Sequence, residues 1–165
     1  MHTGRRRFLA LAVLAVAADL SLDAAAQAVL RPGPKDLCPV CGMLVSKYPN
    51  WTALVQYRDG HVHYFDGAKD LFKYLHELPK YAPRHRREDI VLVQVTDFYT
   101  LARLDARTAF YVVGSDVLGP MGHELVPLAS RADAEEFLKD HKGRRILGFD
   151  EVTRELPYRL DEGRF

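Results

Sequence analysis

The 165-residue chain has few of the features that mark the commonest protein classes. It contains only two cysteines, which excludes a framework of several disulfides. Its 23 basic and 22 acidic residues nearly cancel, and no basic stripe offers a surface for nucleic acid. A glycine-rich phosphate loop, a nucleophile elbow and a zinc-protease helix motif are all missing. We therefore expect no enzymatic activity and no nucleic-acid partner.

A long membrane-spanning hydrophobic run is also missing. The apolar segment 8–20 is interrupted by Asp19 and is shorter than the roughly 20 apolar residues that a spanning helix needs. It follows three arginines at 5–7 and precedes small residues at 24–28, which is the order of a secretory signal. The Arg-Arg-x-Phe-Leu pattern resembles a twin-arginine export signal. We predict that residues 1–28 are a cleaved export signal and that the mature protein is soluble, without stable membrane insertion.

Both cysteines lie in one short segment, Cys38-Pro-Val-Cys41-Gly-Met43. Thiolate and thioether sulfurs are soft donors that select Cu(I) over harder cations. Gly42 permits unusual backbone angles, which lets Cys41 and Met43 turn toward one ion. A second sulfur, Met121, stands in a Gly-Pro-Met-Gly-His loop. The pattern predicts copper binding.

Two nearby residues are candidate ligands whose roles the sequence leaves open. Cys38 is a second thiolate, a partner of Cys41 in a protective disulfide, or a bystander. The disulfide would block Cu(I) binding and would need a reductant in the same compartment. His123, two residues beyond Met121, is a secondary ligand, because imidazole also suits copper, or a solvated polar group.

Two other interpretations account for the cysteine pair. Cys-Pro-x-Cys-Gly is a familiar turn around zinc, and His61 and His63, which share one face of a strand, could complete a four-ligand structural site. These histidines could equally lie on the outer face of a hairpin. Cys-Pro-x-Cys also resembles the sites of thiol-disulfide oxidoreductases, but those open a helix, and the segment after Cys41 lacks helical spacing. Neither interpretation gives a role to Met43 or Met121.

The rest of the chain predicts an α+β fold that begins with a strand-strand-helix-strand unit. Strands at 52–57 and 61–65 flank an Asp-Gly turn typical of a tight hairpin. Asp66 is expected to cap a helix with apolar residues at helical spacing, and Pro79 is expected to end it. A buried strand follows at 90–95.

The same order of elements then returns. Thr-Ala-Phe-Tyr at 108–111 echoes Thr-Ala-Leu-Val at 52–55, and a second strand at 125–128 leads to a helix capped by Ser130. A last strand begins at 146. We therefore predict two strand-strand-helix-strand repeats in one compact domain. The expected segments are a linker and metal-binding segment at 29–50, repeats at 51–106 and 107–156, and a C-terminal tail at 157–165.

Several short motifs, taken in order, resemble the NosL-type accessory proteins of nitrous oxide reductase. The segments that carry the resemblance are Cys41-Gly42-Met43, Asp66-Gly67, Thr-Asp-Phe-Tyr-Thr at 96–100, Asp-Ala-Arg-Thr-Ala-Phe-Tyr-Val at 105–112 and Gly-Ser-Asp-Val-Leu-Gly-Pro-Met-Gly-His-Glu-Leu at 114–125. Together they cover nearly the whole mature chain. The resemblance implies a fold similar to the organomercurial lyase type of small α+β repeat. It also implies delivery of Cu(I) in the periplasm for the four-copper sulfide centre of nitrous oxide reductase.

On this resemblance, Cys41, Met43 and Met121 would be the copper ligands. The partner would be nitrous oxide reductase or its membrane assembly complex, and the protein would have no turnover chemistry of its own. Many members look like lipoproteins, whereas Lys-Asp-Leu at 35–37 is not the small apolar set that precedes a lipid-modified cysteine. We therefore expect a soluble periplasmic protein. The sequence leaves open whether the ligands come from one chain or from two chains of a homodimer.

Overall fold

The structure, a computed structural model, describes residues 30–165. The expected export signal lies outside the described residues. Residues Arg31–Phe165 form one compact unit. Among the described helices, none has the length and apolar character that crossing a bilayer would require.

The compact unit is built from short strands and helices that alternate along the chain. The strands are β1 Ala53–Tyr57, β2 Val62–Phe65, β3 Ile90–Thr96, β4 Arg103–Asp105, β5 Phe110–Val113, β6 Leu118–Gly119, β7 Gly122–His123, β8 Val126–Leu128 and β9 Arg145–Leu147. The helices are α1 Ala68–His76, α2 Leu78–Tyr81, α3 Arg131–Asp140 and α4 Leu156–Asp161.

The strands form two main antiparallel sheets that repeat one topology. The first sheet has the order β2-β1-β3-β4 and the second has the order β8-β5-β9. Each repeat therefore has its first strand in the middle, with the second strand and the strand after the helix on either side. The predicted pair of strand-strand-helix-strand repeats is confirmed.

The central strand of each sheet is paired on both sides. Leu54 pairs with Tyr64 and Gln94 in the first sheet, and Tyr111 pairs with Pro127 and Leu147 in the second. The echo seen in the sequence aligns Val55 with Tyr111, and both side chains lie in the same buried cluster.

The two repeats share a hydrophobic core, which makes them one domain. One buried cluster combines Val55 and Leu71 of the first repeat with Tyr111 of the second and Leu160 of α4. A second, smaller cluster lies under α3 and is centred on Phe137. Helix α4 begins at Leu156 and continues into the segment 157–165 that was expected to be a tail, and Leu156 and Leu160 are part of the core.

The start of α1 differs from the prediction. Its N-cap is Gly67, with no side-chain capping bond, so the expected cap at Asp66 is wrong. The reason is that the Asp66 carboxylate accepts a hydrogen bond from Cys41 Sγ instead. The cap predicted for α3 is confirmed, because the Ser130 side chain accepts a hydrogen bond from the Asp133 amide.

The end of α1 also differs from the prediction. The helix ends at His76, before Pro79. Pro79 lies in the first turn of the short helix α2, where its missing N–H leaves no helical hydrogen bond unmade. The proline therefore begins a helix instead of ending one.

Candidate metal centre

The sulfur segment folds back on itself as a tight loop. Cys38 N–H donates to the Met43 carbonyl at 2.8 Å, and Gly42 N–H donates to the Cys38 carbonyl at 2.9 Å. Gly42 has φ of +78°, in the left-handed region that glycine adopts without steric cost. This turn brings Cys38 and Cys41 close together.

Two carboxylates join the two thiols. Ligand atoms of Cys38, Cys41, Asp66 and Asp70 all lie within 4.8 Å of one another. Asp66 directly precedes the N-cap of α1, and Asp70 lies in its first turn. This group of four donors, here called the Cys–Asp group, could hold a metal ion. The sequence analysis missed both carboxylates, although two acidic residues four apart at the start of a helix share one side.

Each thiol donates a hydrogen bond to one carboxylate. Cys41 Sγ lies 3.2 Å from Asp66 Oδ1, and Cys38 Sγ lies 3.4 Å from Asp70 Oδ2. Asp66 Oδ2 is buried and has no hydrogen-bond partner among the described residues. Asp70 Oδ1 lies 3.2 Å from Lys73 Nζ, at ion-pair distance but outside hydrogen-bond geometry. A buried carboxylate oxygen without a partner is costly, so the Cys–Asp group fits a cation.

Burial controls the protonation of both thiols. Burial, reinforced by the Asp70 and Asp66 carboxylates, raises the pKa of Cys41 to about 12. It also raises the pKa of Cys38, the more buried thiol. Both cysteines are free in the structure and hold their protons at neutral pH. A redox-active pair has a lowered thiol pKa, so this environment is the opposite of an oxidoreductase site.

A network of ion pairs continues from the Cys–Asp group to α4. Asp161 lies 2.9 Å from Lys69 Nζ and 2.7 Å from Lys73 Nζ. Burial raises the pKa of the neighbouring Glu124 to about 8. Lys73 pairs with both Asp70 and Asp161 and so links the Cys–Asp group to α4.

The loop that carries Met121 packs against the start of α1. Lys69 Nζ donates to the Met121 carbonyl at 2.7 Å, and the Lys69 amide donates to Glu124 Oε1 at 2.5 Å. A Cβ on Gly67 would collide with the Glu124 carboxylate, so this close approach requires glycine. The Met121 side chain is 42 % exposed. Its role as a ligand stays a prediction. The loop that carries it lies against the start of α1, next to Asp66 and Asp70.

The remaining candidate ligands stand as follows. Met43 is half-buried beside Cys41, and its ligand role also stays a prediction. His123 lies in β7, with its ring 4.8 Å from that of Phe165. Its Nδ1 is buried without a hydrogen-bond partner among the described residues, and a secondary ligand role stays a prediction. The zinc interpretation expected His61 and His63 beside the two cysteines. The structure instead places the carboxylates of Asp66 and Asp70 there.

Comparison with known families assigns the chain. A family model described as NosL matches residues 30–157. The chain belongs to the NosL family. It is 28 % identical over 132 residues to the copper-binding lipoprotein NosL of Stutzerimonas stutzeri, an alignment that covers 73 % of this chain and 64 % of the relative. The match therefore spans less than two thirds of that relative's length.

Solved NosL structures are also similar to this chain. The crystal structure of the copper chaperone NosL from Shewanella denitrificans matches with a TM-score of 0.63 and 28 % identity, over 76 % of this chain and 95 % of that chain. The solution structure of apo-NosL from Achromobacter cycloclastes matches with a TM-score of 0.45 and 25 % identity, over 64 % and 87 % of the two chains. The crystal structure confirms that the α+β domain predicted from the sequence has the NosL fold.

Proposed function

We propose that this protein carries Cu(I) in the periplasm and delivers it to nitrous oxide reductase or to the membrane complex that assembles it. The observation that supports this most directly is the Cys–Asp group, in which two free thiols meet in one loop. The membership of the NosL family adds weight, because relatives in that family are named as copper-binding proteins.

Cys41 is the thiolate that anchors the ion in this proposal. It is partly exposed, whereas Cys38 is only 2 % exposed, and its proton can leave by way of the Asp66 carboxylate that already accepts its hydrogen bond. Replacing that one proton by Cu⁺ leaves the net charge of the buried group unchanged. Ionising Cys38 as well would add a negative charge in a buried place, which is costly. Cys38 therefore keeps its proton and its bond to Asp70.

The neutral thioethers of Met43 and Met121 complete the coordination sphere in this proposal. Thioethers add affinity for a soft ion without carrying a charge. The exposure of the Met121 side chain, 42 %, makes this donor accessible to a partner. Transfer would proceed as a donor of the recipient protein approaches beside Cys41 while a thioether leaves.

Anaerobic titration with Cu(I) against a competing chelator tests this proposal. Cys41→Ser should abolish tight binding, whereas Cys38→Ser should have a smaller effect. Met43→Leu and Met121→Leu should weaken binding and leave the fold intact, as judged by circular dichroism. Unchanged affinity in Cys41→Ser would overturn the proposal.

A structural zinc site is the second candidate function. The observation that favours it is that the Cys–Asp group already offers four donors, two of which are hard carboxylate oxygens. Zn²⁺ accepts sulfur and carboxylate ligands in a tetrahedral site. Metal analysis of the purified protein separates the two functions. One equivalent of zinc that survives dialysis, together with no effect of Met43→Leu or Met121→Leu, would favour zinc over copper.

A further inference from the structure

Three histidines meet beside the outer strand of the first sheet, apart from the Cys–Asp group. His61 directly precedes β2, and His63 lies in β2. His85 lies in the segment between α2 and β3. Their ring centroids are 4.5 Å apart for His61 and His63, 5.3 Å for His61 and His85, and 6.4 Å for His63 and His85. The sequence places the first two on one face, but only the fold brings in the third.

Two of these rings already have the outer hydrogen-bond partner that is typical of metal-bound histidine. His63 Nδ1 lies 2.6 Å from the Tyr74 hydroxyl, and His85 Nε2 lies 3.0 Å from Asp59 Oδ2. A histidine that binds a metal usually donates its second ring N–H to such a partner, which fixes the tautomer. In the tautomers that donate to these partners, His63 Nε2 and His85 Nδ1 carry the free lone pairs.

The spacing of the three rings suits a single ion once one ring has turned. In a tetrahedral site with metal–nitrogen bonds of about 2.0–2.1 Å, the centroids of two imidazole ligands are roughly 5 Å apart. The observed separations, 4.5 to 6.4 Å, bracket this value. The rings of His61 and His85 are stacked with an interplanar angle of 16°, so binding requires one of them to turn. His61 is exposed and has room to do so.

One carboxylate contacts two of the three histidines. Asp59 Oδ1 accepts a hydrogen bond from the His61 amide at 2.9 Å, and Asp59 Oδ2 lies 3.0 Å from His85 Nε2. This carboxylate supplies a negative charge next to the rings, which favours a cation.

We propose that His61, His63 and His85 form a second, sulfur-free site for a borderline divalent cation of the Zn²⁺ or Cu²⁺ class, with Asp59 and Tyr74 as outer partners. Imidazole nitrogen is the donor that these ions prefer, whereas Cu(I) prefers sulfur. An ion at this site would tie the segment that carries His85 to the β2 hairpin. The site shares no donor with the Cys–Asp group, so it does not depend on the proposed copper function.

Titration with Zn²⁺, followed by the imidazole carbon-bound proton signals in NMR, tests this site. The protein is the Cys38→Ser, Cys41→Ser double variant, in which zinc cannot bind sulfur. If that variant does not fold, wild-type protein loaded with one equivalent of Cu(I) replaces it. One equivalent of Zn²⁺ should shift the signals of His61, His63 and His85 and leave that of His141 in place.

Variants of the ligands and of their outer partners complete the test. His61→Gln and His85→Gln should each weaken Zn²⁺ binding at least about tenfold, and Asp59→Asn should weaken it by about 10- to 100-fold. His141→Gln is the matched control, because His141 also pairs with a carboxylate, Asp116, at 3.3 Å. Unmoved signals of the three histidines at equimolar Zn²⁺, or full affinity in His61→Gln, would overturn the proposal.

Discussion

The two repeats have the same strand order, yet their helices begin in different ways. At the start of α3, the Ser130 hydroxyl accepts from the Asp133 amide at 3.1 Å and donates to the Asp133 carboxylate at 2.6 Å. At the start of α1, Gly67 provides no side-chain cap, and Asp70, the equivalent of Asp133, accepts from a thiol instead. The first repeat gives up a side-chain capping bond, which with glycine at the N-cap costs only about a few tenths of a kcal/mol, and gains a site. Such departures from local rules are expected where a protein functions.

The two helices also differ in the kinds of residue that they bury. Helix α1 buries the charged residues Lys69, Asp70 and Lys73, whereas α3 buries only Ala134 and Phe137. Charged residues are rarely buried unless they are paired, and those of α1 are paired with one another or with α4. Buried charge is therefore concentrated in α1, beside the Cys–Asp group, whereas the buried face of α3 is apolar.

The largest expected difference between the two helix starts is in copper affinity. The double variant Cys38→Ser, Cys41→Ser should lose more than about 100-fold in affinity for Cu(I), because removing a ligand exceeds the effect of removing an outer partner. Asp133→Asn, at the position of α3 that is equivalent to Asp70 in α1, should leave the affinity unchanged. Chelator competition measures both. Equal losses in the two variants would contradict the assignment of the site to the start of α1.

The pH dependence of copper binding should report the burial of Cys41. An ordinary thiol with a pKa of about 8.5 ionises above that pH, so Cu(I) affinity would level off there. Because burial raises the pKa of Cys41 to about 12, its proton must still be displaced by the ion at pH 9. The affinity should therefore rise about tenfold per pH unit from pH 6 to pH 9.

Chelator competition over this pH range counts the thiols that ionise. A rise of about tenfold per unit corresponds to one thiol, and about a hundredfold per unit corresponds to two. The second result would show that Cys38 also becomes a thiolate. A plateau above pH 8.5 would contradict the buried environment of Cys41.

A smaller effect, on stability, is expected from the close packing at the start of α1, where Gly67 provides no side-chain cap. Gly67→Ala should lower the free energy of unfolding by about 1–3 kcal/mol, as overpacking of a buried contact does, because the added methyl group meets the Glu124 carboxylate. Gly67 has φ of −171°, which any residue adopts, so backbone strain is not the cause. Urea unfolding measures the loss. Glu124→Ala should relieve it in the double variant, and an undiminished loss there would place the clash elsewhere.

The smallest effect is expected at the capped start of α3. Ser130→Ala should lower the free energy of unfolding by about 0.5–2 kcal/mol, since the Asp133 amide loses its acceptor. Affinity for Cu(I) should stay at the wild-type value. Urea unfolding and chelator competition on the same sample measure the two quantities, and a fall in copper affinity would link the start of α3 to the site.

Local sequence signals predicted most of the secondary structure. The hairpin around Gly60 and the cap at Ser130 depend on residues within a few positions, where turn and capping chemistry acts. The approach of Asp66 and Asp70 to the thiols joins residues 25 and 32 positions apart. It depends on how α1 packs against the sulfur loop. An aspartate before a helix is ordinarily a cap, which is why Asp66 was assigned that role wrongly.

The site was predictable in part. The cysteine pair and the left-handed Gly42 follow from the motif itself, since only a tight turn can bring Cys38 and Cys41 together. The third histidine of the cluster beside β2 was not predictable, because His85 reaches His61 through the packing of a loop without a repeating pattern. Contacts that form only through tertiary packing produce no periodic pattern in the sequence.

X-ray absorption at the copper edge, on the full chain loaded anaerobically with one equivalent of Cu(I), tests most directly whether Cys41 anchors a sulfur-bound ion. A first shell of sulfur atoms alone is expected, and it should be lost in Cys41→Ser. A first shell that contains oxygen from Asp66 or Asp70, or nitrogen from an imidazole, would contradict copper binding by sulfur.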